Sequence, residues 1–99
     1  MLDCIHIVTL LEKKQKDLRA LDVKSLALFG SVARDEAVDG SDIDILVSFF
    51  HSPVTFDAYM DVKFFLEDLL NNPVDLVVAE SLHPRIKPFV HQDAVYVVA

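Results

Sequence analysis

At 99 residues, 53% of them hydrophobic, the chain is long enough for one thin core and too short for two. Its formal net charge of −7 excludes a broad nucleic-acid surface, which would need clustered Lys and Arg. The one cysteine, Cys4, excludes an internal disulfide. With no secretory leader and no apolar run of ~18 residues in view, a soluble protein of the reducing cytoplasm is expected.

Residues 3 to 21 carry helical spacing, with Ile5, Val8, Leu11, Leu18 and Leu21 near one face and a solvated KKQKD between them. KSLALF, 24 to 29, is short and apolar and ends at Gly30, as a buried strand would. Gly30-Ser31 opens a turn, VARDEA reads as one helical turn, and Asp39-Gly40 marks a second turn. DIDILVSF, 42 to 49, is the second strand. A helix capped at Ser52-Pro53 or Thr55 runs to about Leu70 and stops at Asn71-Asn72-Pro73. VDLVVA, 74 to 79, is a third strand; a weak helix signal follows Pro84, and AVYVV is rich in β-formers. The fold class is therefore α/β (α+β): residues 1–99 form a single domain, a small mixed sheet with helices packed on one face.

Five carboxylates (Asp35, Glu36, Asp39, Asp42 and Asp44) fall within ten residues. Side chains alternate faces along a strand, so Asp42 and Asp44 point one way while Ile43, Ile45 and Val47 point the other, towards the helices. If the second and third strands are neighbours, Asp75 joins them, and three carboxylates face one point on the uncovered side of the sheet. Like charges so placed resist ionising together. A hard divalent cation removes the conflict, and Mg²⁺ binds through one or two carboxylates plus substrate phosphates. Gly30 lets the backbone approach a ligand closely, and the N–H groups that follow, with the Ser31 hydroxyl, can donate to phosphate oxygens. Arg34 could neutralise phosphate charge or pair with Glu36 or Asp39.

Gly30-Ser31, then ten residues, then Asp42-x-Asp44 resembles the signature of the polymerase-β-like nucleotidyltransferase superfamily. The string GSVARDEAVDGSDIDILV, with Asp75 following in VDLVV, is similar to the minimal nucleotidyltransferases, the MntA-type antitoxins. The resemblance covers residues 26 to 78. It implies that Asp42 and Asp44 are metal ligands, that Asp75 is a metal ligand or base, and that Gly30 and Ser31 hold the triphosphate; Arg34 joins them where it does not pair with Glu36 or Asp39 instead. It implies Mg²⁺ as cofactor, ATP as substrate, and a HEPN-domain ribonuclease toxin as partner, silenced by transfer of AMP to a tyrosine. Asp35 stands where relatives often carry Gly, which implies somewhat weaker ATP binding.

Other features read more plainly. Asp35, Glu36 and Asp39 are solvated turn residues. His6, His51, His83 and His91 lack ligand spacing and read as surface or packing groups; Tyr59 and Tyr96 read as structural. On the helix from 56 to 70, Tyr59, Val62, Leu66, Leu69 and Leu70 form a core stripe. Phe56, Met60 and Phe64 flank it, either as a wide core face or as a partner-binding patch. That patch supports an alternative function, an antitoxin that neutralises its toxin by contact with a vestigial site.

Overall fold

The computed structural model describes residues 4–30, 42–51, 53–79 and 95–98. Its elements in chain order are α1 (Cys4–Lys13), α2 (Gln15–Ala20), β1 (Val23–Phe29), β2 (Ile43–Phe49), α3 (Phe56–Leu70), β3 (Val74–Val78) and β4 (Val95–Val98). The turns expected over 31–41 and the helix signal after Pro84 lie outside the described residues.

The first helical segment is broken at Lys14, with α1 and α2 on either side. Ile7, Leu11 and Leu18 are fully buried, whereas Ile5, expected on the core face, is 75% exposed. Ile7 and Leu11 are one helical turn apart and share a stripe from which Ile5 is rotated by about 200° at ~100° per residue. α3 follows its sequence signals closely. Thr55 caps it by accepting a hydrogen bond from the Ala58 N–H at 3.1 Å. Asn71 closes it in the left-handed region at φ 53°, which Asn tolerates better than most residues. Val62, Leu66 and Leu70 are buried, and Tyr59 and Leu69 pack against the same core.

The four strands form one mixed sheet in the order β3-β2-β1-β4. β1 pairs antiparallel with β2 and β4, and β2 pairs parallel with β3 across the α3 connection. One face of the sheet presents Leu26, Leu28, Ile43, Ile45, Val47, Val74 and Leu76 to the helices, and together with Ile7, Leu11, Leu18, Val62 and Leu66 they make the main core. Each of these larger side chains contributes on the order of 1.5–3 kcal/mol on burial, so the main core dominates stability.

The opposite face was expected to be uncovered, and that expectation needs correcting. Ala27, Leu46 and Ala79 are buried there, with Phe29 and Val77 packed against them. β1 and β2 each place apolar residues on both faces, so a second, smaller apolar cluster stands beside the carboxylates.

Candidate active site

The pairing register fixes which residues meet. Phe29 is the Cα partner of Asp44 across the β1–β2 pair, and Asp44 is the Cα partner of Asp75 across the β2–β3 pair. Partners on adjacent strands share a face. Phe29, Asp44 and Asp75 therefore form a row across three strands. Behind it Tyr96, Ala27, Leu46 and Val77 form a second row on the same face. The two carboxylates stand at the rim of an apolar wall, with Asp44 half-buried and Asp75 exposed. An apolar neighbour on one side lowers the local dielectric and strengthens any charge interaction made there.

Asp42 sits one residue ahead of β2 and is exposed. It is two residues from Asp44, the spacing that returns a strand side chain to the same face. Among the described residues no three His, Cys, Asp or Glu side chains close into a metal-holding group on their own. What the register brings together is the Asp44–Asp75 pair, with Asp42 at its open edge.

Gly30 follows β1 directly and has φ 70°, a conformation that residues with a Cβ adopt only at a cost. Space there is as restrictive as conformation. A Cβ built on Gly30 would overlap the Oδ2 atom of Asp44 and lie 3.1 Å from its Cγ. The glycine therefore makes room for the Asp44 carboxylate as much as for a ligand. Sequence reading assigned Gly30 to phosphate and missed this contact, because pairing between residues fourteen apart is set only when β1 and β2 zip together. Ser31 and Arg34, the other expected phosphate contacts, lie outside the described residues, as do Asp35, Glu36 and Asp39.

Hard carboxylate oxygens on neighbouring strands, beside a backbone that leaves room for them, suit Mg²⁺ better than a softer metal. Two such carboxylates leave coordination positions for phosphate oxygens and water, which is the usual arrangement around Mg²⁺.

A mixed sheet with helices on one face, and paired carboxylates beside a glycine at the strand ends, is the build of an enzyme of nucleotidyl transfer. The family model described as the nucleotidyltransferase domain matches residues 9–97, and the chain belongs to that family. The protein adenylyltransferase MntA of Thermococcus cleftensis is 38% identical over 98 residues, which is 98% of each chain. MJ0126 of Methanocaldococcus jannaschii, named as a candidate protein adenylyltransferase, is 38% identical over 94 residues, covering 93% of this chain and 95% of its own. Among solved structures, one described as a candidate minimal nucleotidyltransferase superposes with a TM-score of 0.81 at 32% identity over 95% of both chains. A toxin–antitoxin structure with AMP-PNP gives 0.71 at 26% identity over 87% of this chain and 71% of that one. A chain of the tri-AMPylated Shewanella oneidensis HEPN toxin in complex with its MNT antitoxin gives 0.64 at 25% identity, over 91% and 71%.

Proposed function

We propose that this nucleotidyltransferase is the Mg²⁺-dependent antitoxin of a cytoplasmic HEPN-domain toxin, and that it transfers AMP from ATP to a tyrosine of that toxin. The observation that carries the proposal is the Asp44–Asp75 pair in register on neighbouring strands, with Gly30 yielding the space that Asp44 occupies. Relatives across nearly the full length are named protein adenylyltransferases. One similar solved structure holds a HEPN toxin that carries AMP, and another holds an ATP analogue.

In the reaction the acceptor hydroxyl oxygen attacks the α-phosphorus of ATP. A new P–O bond forms, the bond to the β-phosphate bridging oxygen breaks, and pyrophosphate leaves with that electron pair. Asp42, Asp44 and Asp75 would hold Mg²⁺, whose charge, when bound, offsets the triphosphate and the departing pyrophosphate. Asp75, exposed and in register with Asp44, would also take the acceptor proton. Gly30 and Ser31 offer backbone N–H groups to the phosphates, and Arg34 offers a planar cation. Catalysis of this kind is chiefly positioning and charge neutralisation.

Incubation with labelled ATP, Mg²⁺ and the HEPN partner should label the partner. Undiminished labelling by an Asp42→Ala/Asp44→Ala variant would refute the site.

A second reading, neutralisation by contact alone, is favoured by one observation. Phe56 is 75% exposed and Phe64 59% exposed, one on each side of half-buried Met60 along α3. If the same double variant abolishes labelling yet still protects toxin-expressing cells, contact is the mechanism of neutralisation.

A further inference from the structure

Among the described strands β3 lies at an edge of the sheet, so half of its backbone groups have no strand to pair with. Which half is fixed by one bond: the Ile43 N–H donates to the Pro73 carbonyl at 3.0 Å. Backbone groups alternate sides along a strand. Pro73, Asp75 and Val77 therefore turn theirs towards β2, and Val74 and Leu76 turn theirs outward.

The outward groups are met by one row of α3. The Tyr59 hydroxyl donates to the Leu76 carbonyl at 2.6 Å. The Lys63 ammonium donates to the Val74 carbonyl at 2.9 Å, and the Val74 N–H donates to Glu67 Oε2 at 3.0 Å. Tyr59, Lys63 and Glu67 are spaced by four and share a helix stripe. Lys63 and Glu67 lie 3.9 Å from each other, so the two grips on Val74 also brace one another. The residue between the anchored pair, Val74 and Leu76, is Asp75.

We propose that Tyr59, Lys63 and Glu67 are positioning residues for Asp75, setting its carboxylate against Asp44. The inference rests on the reading of Asp75 as a site carboxylate. β3 is only five residues long and, among the described strands, is paired on one side. A slip of one residue would turn Asp75 into the core and Val74 out of it. A slip of two would keep its face but displace it along Asp44 by roughly 6.6 Å. Apolar packing of α3 resists the first slip far more than the second, because it is non-directional. Hydrogen bonds to named backbone atoms resist both. Tyr59 grips the downstream side, where loss of its hydroxyl leaves a part-buried carbonyl without that donor.

The test is Tyr59→Phe in the full chain, which removes the hydroxyl and keeps the ring. Transfer to the HEPN partner should lose kcat by about tenfold, given how steeply such reactions depend on sub-ångström placement, with the KM for ATP changed less than about twofold. The rise in Tm produced by Mg²⁺ with AMP-PNP should shrink, and the Asp75 amide should exchange hydrogen faster than in the parent protein. Glu67→Ala should act in the same direction. Glu67→Gln should restore near-parent kcat, because the amide oxygen still accepts from Val74 N–H.

A lower Tm for Tyr59→Phe and Glu67→Ala with kcat and the AMP-PNP response unchanged would overturn the inference and leave these residues merely structural. Asp75→Asn separates the two levels. If it abolishes transfer while Tyr59→Phe does not reduce it, the positioning inference fails alone. If Asp75→Asn transfers normally, the site reading fails and takes the inference with it.

Discussion

β1 is bracketed by two residues in the left-handed region, Asp22 at φ 71° and Gly30 at φ 70°. Nearly the same backbone angle is handled in opposite ways. At Asp22 the side chain is committed to the fold: Oδ1 lies 2.6 Å from His51 Nδ1, and Oδ2 accepts from the His51 N–H at 3.1 Å. Its carbonyl accepts from the Phe50 N–H at 3.0 Å. These contacts tie the start of β1 to the end of β2 and offset the cost of placing a non-glycine residue there. At Gly30 there is no side chain to commit, and the vacated space belongs to the carboxylate of Asp44. One end of the strand pair uses a strained conformation to fasten the sheet, and the other uses it to admit a functional group. Strain alone therefore does not mark a site; what occupies the adjoining space does.

Substitution at the two positions should separate activity from stability. The largest effect is expected for Gly30→Ala. The new methyl group meets the movable end of Asp44 rather than backbone, so the fold can adapt by swinging the carboxylate away. That movement removes it from the site. Transfer activity should fall by roughly 100-fold or more, while the left-handed φ costs about 1–2 kcal/mol of stability. Labelling of the HEPN partner and thermal melting measure the two separately; normal activity would show that Asp44 need not stand where it does.

Next in size is the response to ligand. With Mg²⁺ and AMP-PNP at about a hundred times Kd, the parent protein should gain about 2.7 kcal/mol, roughly 10 °C or more in Tm. Asp22→Ala should keep that rise and Gly30→Ala should lose most of it. A rise preserved in both would mean that nucleotide binds elsewhere.

Asp22→Ala itself should lower stability by about 1–2 kcal/mol with kcat unchanged, since it removes two hydrogen bonds and keeps the φ penalty. Chemical denaturation reads this directly, and a fall in kcat would show that the two ends are coupled. The smallest effect is expected for His51→Ala. The His51 side chain is 87% exposed, and its contact with Asp22 is screened by solvent, so a loss of roughly 0.5 kcal/mol or less is anticipated. A larger loss would mean that the ring, rather than the backbone bonds, holds Asp22 in place.

Much of this molecule was legible beforehand. The β-rich runs at 24–29, 42–49 and 74–79 foretold three strands; of the two caps offered for α3, Ser52-Pro53 and Thr55, the structure uses Thr55, and Asn71 ends the helix as expected. Such elements are written in local periodicity and in capping chemistry, which act over four residues or fewer. The flank of α3 was legible too: Phe56 and Phe64 emerge exposed because they lie outside the stripe of Val62, Leu66 and Leu70. The rotation of Ile5 out of the core was not legible. Ile5 with Val8 and Ile7 with Leu11 are both helical spacings within α1, and only docking on the sheet selected the second.

The carboxylates show the same division. Alternation along one strand put Asp42 and Asp44 on a common face, and the donors of the Gly30-Ser31 turn suggested phosphate contact, both from local order; the distance between the two motifs spoke only through its resemblance to the nucleotidyltransferases. The sequence by itself thus determined which side chains could share a face and what they could bind. Only the tertiary structure decided that Asp44 and Asp75 are register partners, that Asp44 fills the space a Cβ on Gly30 would take, and that Tyr59, Lys63 and Glu67 reach the backbone around Asp75. Those contacts join residues seven to thirty-one positions apart, and their geometry is set by strand register and helix docking rather than by any local preference.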